Sequence, residues 1–298
     1  MDKVIIGVDL GGTKIMTGVM NLKGEVLGEP ITTPTLGNDP AEVILKRIIN
    51  TITTAMEQLN ITAQSVLGIG IGATGPLDIT NGVILDCPQL PTMYNYPLRA
   101  KIQAHFSVPT YMNNDANCMI YGETVFGAAK GKKNVLGFTL GTGIGCAIVL
   151  NGKIHNGSTG TAGEIWTSPY MGKTIEDFTC GQAVSDIYKA LTKTDKSGLE
   201  IHRLADRGDA PALKTWEKYG EHLAVAMAWA INLLDPEVIV LGGSVSSAHA
   251  YFLPTTKTIL SGYICREPYR QLKIEMAKLG AHAGFVGAGS LVLEDLKT

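Results

Sequence analysis

Two short stretches of glycine and threonine could hold phosphate groups through backbone amides. Paired glycines let N–H groups face a phosphate without a Cβ in the way. In the first stretch, Thr13 adds a hydroxyl donor and Lys14 a positive charge, and Asp9 just before it suits a Mg²⁺ ion carried on phosphates. We name the two stretches the first glycine turn (Gly11, Gly12, Thr13, Lys14) and the second glycine turn (Gly141, Thr142, Gly143, Ile144, Gly145).

Taken singly, each stretch is also explained as an ordinary hairpin turn. The two turns lie about 130 residues apart, however, and each joins two apolar strand-like runs. Gly242 and Gly243 follow a third run of the same kind. One ligand held at three points is typical of a nucleotide, with two turns for its phosphates and the last turn for its adenosine.

Asp115 stands where a strand pattern gives way to a helix pattern, directly after Asn114. Asp and Asn are common helix N-caps, so a structural role is one interpretation. The other is a general base, because phosphoryl transfer to an alcohol needs a carboxylate near the attacking hydroxyl. Both roles can coexist in one residue.

Two further carboxylates, Glu164 and Glu176, lie near glycine-rich and threonine-rich loops. Each carboxylate could accept hydrogen bonds from two hydroxyl groups of a polyol, although two solvated acidic side chains on loops are the simpler interpretation. Trp166 could cover one face of a sugar ring, or it could be structural.

Two glycine motifs are rejected as nucleotide fingerprints. Gly70-x-Gly72-x-x-Gly75 follows a strand, but Pro76 stands where a dinucleotide-binding helix would begin. The stretch 127–133 is one residue too short for a P-loop and lacks its Ser or Thr.

The elements that must position these residues alternate between strands and helices. The opening pattern is an apolar strand, a glycine turn, a second strand and a hairpin, and it recurs from Val135. Helical spacing of apolar residues predicts helices at 40–59 and 213–234, and a glycine-rich helix begins near Ala283. The repeat indicates an internal duplication with a domain boundary between the two copies.

Composition excludes several classes of protein. Of 298 residues, 45% are hydrophobic and 17% charged, which is typical of a packed globular chain. The formal charge of −2 argues against a general nucleic-acid binder. The longest apolar run, 224–234, is too short to span a bilayer, and no Cys-x-x-Cys pair is present among the five cysteines. We therefore expect a cytoplasmic protein that binds neither membrane nor nucleic acid.

The glycine content is unusually high, at 35 of 298 residues. We interpret the excess mainly as backbone that approaches a nucleotide and a sugar. The glycines in question are Gly11, Gly12, Gly70, Gly72, Gly75, Gly141, Gly143, Gly145, Gly163, Gly242, Gly243, Gly284 and Gly287.

Together these motifs resemble the ROK family of sugar kinases, which has the actin/hexokinase/Hsp70-type ATPase fold. Six segments occur in family order and with family spacing, and a seventh near the C-terminus extends the match over nearly the whole chain. They are residues 9–14, 75–78, 114–117, 140–145, 162–164, 241–245 and 283–288.

The resemblance implies an α/β fold of two actin-like ATPase lobes, each with a ribonuclease H-like core, with a cleft between them. It places the N-terminal lobe at 1–130, completed by a helix at 283–298, and the C-terminal lobe at 131–282. It also implies a homodimer.

The implied reaction is ATP-dependent phosphorylation of a hexose, usually at O6, with Asp115 as the catalytic base. Asn114, Glu164 and Glu176 match sugar-binding positions, and Gly75 matches a backbone contact to the sugar. Asp9 and the two glycine turns match the Mg-ATP site.

The chain also departs from the family pattern. Thr167 stands where many members carry a histidine, and the short loop 168–173 contains no cysteine. A zinc site of three thiolates and an imidazole is therefore not predicted. Gln89 stands in the sugar site where many glucokinases of the family carry Asn. Glucose is the best single substrate prediction, with N-acetylmannosamine, N-acetylglucosamine, fructose and a β-glucoside as rivals.

Two other functions have less support from the sequence. Some members of the family are sugar-sensing repressors, but the first glycine turn lies so near the N-terminus that no helix-turn-helix is expected before it. Hsp70-like and actin-like ATPases are longer chains and do not need Glu164 and Glu176 beside Asn114 and Asp115.

Overall fold

The computed structural model describes residues 3–295. The ends of the predicted lobes, residues 1–2 and 296–298, lie outside this part of the chain.

The described part of the chain contains fourteen strands, numbered here in chain order. They are β1 (Val4–Leu10), β2 (Lys14–Asn21), β3 (Val26–Pro34), β4 (Val66–Ala73), β5 (Leu77–Asp78), β6 (Val83–Ile84), β7 (Thr110–Asn114), β8 (Val135–Leu140), β9 (Ile144–Leu150), β10 (Lys153–Ile154), β11 (Pro169–Tyr170), β12 (Lys173–Thr174), β13 (Val238–Gly242) and β14 (Ile274–Met276).

The α-helices alternate with these strands. They are α1 (Ala41–Gln58), α2 (Leu98–Phe106), α3 (Asp115–Val125), α4 (Glu176–Thr179), α5 (Gly181–Thr192), α6 (Gly198–Ala205), α7 (Ala210–Leu234), α8 (His249–Tyr263), α9 (Arg266–Gln271) and α10 (Ala283–Asp295).

The first large sheet has the strand order β3-β2-β1-β4-β7. β1 is antiparallel to β2 and parallel to β4, and β4 is parallel to β7. Parallel neighbours end at the same edge, and the register aligns Leu10 with Ala73 and Ala73 with Asn114. The first glycine turn, Gly75 and Asp115 therefore follow three neighbouring strand ends at one edge of this sheet.

The second large sheet has the order β10-β9-β8-β13-β14. β13 is parallel to both β8 and β14, and β10 is antiparallel to β9. The strand order repeats that of the first sheet, as the recurring sequence pattern indicated. Thr139 pairs with Gly242, so the second glycine turn and Gly243 follow neighbouring strand ends.

The chain forms two compact units. The first comprises Met1–Gly131, Val149–Ala162 and Ala277–Thr298, and the second comprises Lys132–Ile148 and Gly163–Met276. The segment Val149–Ala162, which the sequence analysis assigned to the second lobe, thus has its contacts in the first unit. The lobe limits inferred from the sequence stay a prediction.

Helix α10 packs closely against the first sheet. A Cβ at Gly7 of β1 would overlap the carbonyl group of Phe285, and a Cβ at Gly70 of β4 would overlap that of Ala288. Both strands therefore need glycine, because helix backbone occupies the space of a side chain.

Four of the glycines in the group named in the sequence analysis are packed closely against other parts of the chain. Gly70 lies against the backbone of α10, and a Cβ on Gly72 would approach Cys118 Sγ to 3.2 Å. A Cβ on Gly287 would overlap the Cys118 carbonyl of α3, and one on Gly284 would overlap the Asp9 carboxylate. Close packing therefore accounts for these four glycines, and the assignment of most of the others to ligand sites stays a prediction. The rejection of a dinucleotide fingerprint stands, because β4 leads into the short strand β5 rather than a helix.

Candidate functional site

Asp115 is the first residue of α3, and Asn114 before it is the N-cap. The Asn114 side-chain oxygen accepts hydrogen bonds from the amides of Ala116 (3.0 Å) and Asn117 (3.3 Å). Asp115 Oδ1 accepts a 2.7 Å bond from the Ala116 amide. The cap is therefore Asn114 and not Asp115, and the Asp115 carboxylate lies in the first turn, where the helix dipole favours negative charge.

Gly75 lies beside this helix start. A Cβ on Gly75 would come within 3.4 Å of Asn114 Nδ2. The structure thus brings together two residues that the sequence assigned to sugar binding, at the edge where β4 and β7 end.

Asp9 lies near the end of β1, where its carboxylate packs against the first turn of α10. A Cβ on Gly284 would overlap that carboxylate, so any larger residue there would displace the Asp9 side chain. Burial raises the pKa of the Asp9 carboxyl, while the positive charge of Lys14 acts in the opposite direction. A buried carboxylate with a raised pKa is one that gains from a cation.

The first glycine turn is closed by a 3.0 Å hydrogen bond from the Gly11 amide to the Lys14 carbonyl. Gln89 packs directly on this turn, since a Cβ on Gly12 would lie 2.7 Å from the Gln89 Cβ. Gln89 Oε1 also accepts a 3.4 Å bond from Cys87 Sγ. The side chain predicted for the sugar site is therefore in contact with the first glycine turn.

The second glycine turn lies against the start of α5. The Gly181 amide donates to the Gly141 carbonyl at 2.7 Å, and Gly141 donates to the Gly143 carbonyl at 3.0 Å. Gly243, at φ +86°, sits so close that a Cβ would overlap the Leu140 carbonyl. The predicted phosphate and adenosine turns are thus neighbours within the second unit.

The Glu176 side chain contacts the second glycine turn. Its Oε2 accepts a 3.0 Å hydrogen bond from the Ile144 amide, and a Cβ on Gly143 would overlap the same oxygen. The sequence assigned Glu176 only to sugar binding. The contacts of Gly181 and Ile144 were also missed, because a bond between a turn and a distant residue leaves no local sequence pattern.

Glu164 accepts a hydrogen bond from the indole Nε1 of Trp166, two residues further along. Both side chains are exposed, with Trp166 at 42%. Burial raises the pKa of the nearby Cys146 thiol to about 12, and the negative charge of Glu164 acts in the same direction. Trp166 therefore orients the Glu164 carboxylate through its ring N–H.

The side chains that could bind a metal ion are His, Cys, Asp and Glu. Within residues 3–295, no group of three or more His, Cys, Asp and Glu side chains is arranged to hold a metal ion. The absence of zinc stays a prediction. A single hard carboxylate such as Asp9 fits Mg²⁺, which binds proteins through one or two carboxylates together with substrate phosphates. In the same part of the chain, no helix combines the length and apolar character needed to cross a membrane.

A sequence profile of the ROK family matches residues 5–295. The chain belongs to the ROK family. It is 30% identical to a glucokinase of Halalkalibacterium halodurans over 98% of this chain and 95% of that protein. It is 30% identical to an N-acetyl-D-glucosamine kinase of Photobacterium profundum over 96% and 98%. A xylose repressor of Caldicellulosiruptor bescii is 26% identical over 98% of this chain and 78% of the repressor.

Solved structures of ROK proteins share the fold. The ROK hexokinase of Thermus thermophilus superposes with a TM-score of 0.82 at 27% identity, covering 99% of both chains. A ROK glucokinase of Streptomyces griseus, solved with glucose and AMPPNP, gives 0.79 at 26% identity over 98% of this chain and 99% of that one. The predicted family and α/β fold class are confirmed.

Proposed function

We propose that this ROK protein transfers the γ-phosphoryl group of ATP to a hexose, at O6, as a glucokinase-type enzyme. The chain is an ATP-dependent sugar kinase of its family. The observation that carries the proposed mechanism is the N-cap of α3. Asn114 caps the helix and the Asp115 carboxylate lies in its first turn, which supports the proposal that this carboxylate meets the substrate hydroxyl.

Asp115 acts as the general base. As the sugar oxygen forms its bond to Pγ, the bond from Pγ to the bridging oxygen of ADP breaks and the hydroxyl proton passes to Asp115. Asn114 and the backbone at Gly75 bind the sugar beside it. The adjacency of Asn114 Nδ2 to Gly75 supports this assignment.

The nucleotide phosphates are held by the two glycine turns, with Thr13, Lys14 and Thr142 as the additional donors. Gly242 and Gly243 bind the adenosine side, which is supported by the pairing of Gly242 with Thr139 and the contact of Gly243 with Leu140, just before the second glycine turn. Asp9 would hold Mg²⁺, which when bound would supply positive charge to the ATP phosphates.

Glu164, Glu176 and Gln89 complete the sugar site. The Glu164 carboxylate accepts hydrogen bonds from sugar hydroxyls. Its orientation is set by the hydrogen bond from the Trp166 indole N–H. Glu176 has two tasks, because one of its oxygens is bonded to the Ile144 amide of the second glycine turn.

Glucose is the proposed sugar. N-acetylglucosamine, N-acetylmannosamine, fructose and a β-glucoside are the alternatives within the family. Selectivity among these sugars depends on a few hydrogen bonds. A sugar that lacks the hydroxyl for one of them leaves a polar group of the site unpaired and binds much more weakly.

An ADP-release assay over a panel of these sugars tests the proposal, with Asp115→Ala as the inactive control. NMR of the product identifies the phosphorylated oxygen. ADP release with one or more sugars that disappears in Asp115→Ala is the expected result. Sugar binding without turnover under any condition would instead favour a sugar-sensing regulator.

A homodimer is proposed from the family resemblance. Light scattering of the purified protein measures its mass in solution against the 31.7 kDa chain.

A further inference from the structure

Three asparagine side chains form a hydrogen-bonded cluster beside the proposed base. Asn117 Nδ2 donates to Asn113 Oδ1 at 3.0 Å, and Asn113 Nδ2 donates to Asn156 Oδ1 at 3.0 Å. Asn117 Nδ2 also lies 3.5 Å from Asn156 Oδ1. Asn113 and Asn117 are only 4% and 3% exposed, so these amides depend on protein partners rather than water.

The cluster is bonded directly to the residue before Asp115. Asn113 Oδ1 accepts a 2.8 Å hydrogen bond from the backbone amide of Asn114, in addition to the bond from Asn117. The Asn114 side chain in turn caps the amides of Ala116 and Asn117. Asn114 is therefore held on its backbone by Asn113 and through its side chain by α3, immediately before the base.

The orientation of the Asn113 amide decides whether this arrangement works. A side-chain amide presents an acceptor on one side and donors on the other, and a flip exchanges them. The Asn114 backbone N–H can only donate, so it needs Asn113 Oδ1 turned towards it, and Asn113 Nδ2 then needs an acceptor, which Asn156 Oδ1 supplies. A flipped Asn113 would place two donors against each other at Asn114.

Asn156 itself comes from a separate segment of the first unit, Val149–Ala162. Its backbone carbonyl accepts a 3.1 Å bond from the Ala162 amide, which closes the loop 156–162 on itself. Neither the N-cap of α3 nor the pairing of β7 with β4 needs Asn156. Its side-chain oxygen is thus available for a task beyond forming these elements.

We propose that Asn156 is a positioning residue for phosphoryl transfer: its Oδ1 fixes the Asn113 and Asn117 amides, and through them the Asn114–Asp115 segment. The inference rests on the proposed function, because it assigns Asp115 as the base. Loss of the acceptor leaves the buried Asn113 Nδ2 without this partner and Asn117 Nδ2 with only its bond to Asn113 Oδ1, and it lets the base shift. Small displacements of a catalytic group lower turnover by about tenfold to a hundredfold.

The test compares four variants by steady-state kinetics and thermal unfolding. Asn156→Ala removes the acceptor, Asn156→Gln displaces it by one methylene, and Asn156→Asp keeps an oxygen in place for both amides. Thr159→Ala, in the same loop with an exposed hydroxyl pair to Thr161, is the matched control. We expect Asn156→Ala and Asn156→Gln to lower kcat about tenfold or more, with KM for ATP within about twofold. Asn156→Asp and Thr159→Ala should stay within about threefold of wild type in kcat.

Three results would overturn the inference: an unchanged kcat in Asn156→Gln, an equal loss in Asn156→Asp, or a loss confined to KM for ATP. If Asn156→Ala does not fold, Asn156→Gln and Asn156→Asp still decide the question. Wild type and Asp115→Ala are measured in the same assay. An inactive wild type or an active Asp115→Ala contradicts the proposed function, whereas normal behaviour of both with an unaffected Asn156→Gln contradicts the positioning role alone.

Discussion

The carboxylate of Glu176 and the backbone amide of Ile144 are joined by a 3.0 Å hydrogen bond. A residue at the start of α4 thereby fixes the second glycine turn at the point where it becomes β9. The proposed sugar and nucleotide contacts of the second unit thus share one side chain, so substitutions at Glu176 should separate the two tasks.

Glu176→Ala is expected to raise KM for ATP about tenfold and KM for the sugar as well, because hydrogen bonds to charged groups contribute about 1.5–3 kcal/mol. Glu176→Gln keeps an oxygen for the Ile144 amide and should raise only KM for the sugar. Initial rates with each substrate varied in turn provide the measurement. A normal KM for ATP in Glu176→Ala would show that the bond does not support nucleotide binding.

Asp115→Ala is expected to lower kcat by at least about a hundredfold, since general-base catalysis contributes about 10²–10⁴. ATP affinity should change little, because the proposed nucleotide contacts lie elsewhere. Turnover and nucleotide titration on the same preparation check both parts. Turnover near that of wild type would remove Asp115 as the base.

Trp166→Phe keeps an aromatic ring but removes the N–H that the Glu164 carboxylate accepts. We expect KM for the sugar to rise about threefold to tenfold with KM for ATP unchanged, because the bond is exposed and such a bond contributes about 0.5–1.5 kcal/mol. Trp166→Ala serves as the comparison. An effect seen only in Trp166→Ala would assign the role to the ring surface instead of the N–H.

Asp9→Asn is expected to stabilise the protein without ligands while abolishing turnover. Burial raises the pKa of Asp9 in the folded state, so its contribution to stability is greatest below the unfolded pKa of about 3.9 and is lost as the pH rises through the folded pKa. The neutral amide removes this dependence. Urea unfolding at pH 4.5 and 7.5 should show a larger gain for Asp9→Asn at pH 7.5, and an equal gain at both values would contradict the argument.

Gly70→Ala is expected to destabilise the first unit severely, by about 3 kcal/mol or more, because its Cβ would overlap the Ala288 carbonyl of α10. Gly262→Ala is the matched control, since the space around that helical glycine is open. It should instead raise stability by up to about 1 kcal/mol. Chemical unfolding of both variants gives the comparison, and a neutral Gly70→Ala would mean that α10 can move away.

The main elements could be predicted from local sequence alone. The apolar runs of β1, β4, β8 and β13 and the helical spacing of α1 and α7 are strong patterns, and the observed elements match them closely. The two glycine turns and Asn114-Asp115 were predicted as site residues because phosphate and hydroxyl chemistry requires particular residue types at short spacing, and their roles stay a proposal. The repeated pattern likewise indicated an internal duplication, and the two large sheets have equivalent strand orders.

Long-range partners could not be predicted in this way. A glycine that makes room for a ligand and a glycine that makes room for a helix look the same in a sequence, so the packing of Gly70 against α10 and of Gly287 against α3 could not be predicted. The two roles of Glu176 and the cluster around Asn156 join residues 32 or more positions apart. The sequence by itself determined the chemistry available to this protein. Only the tertiary structure decided which backbone and side-chain groups meet, because close packing depends on atoms that are distant along the chain.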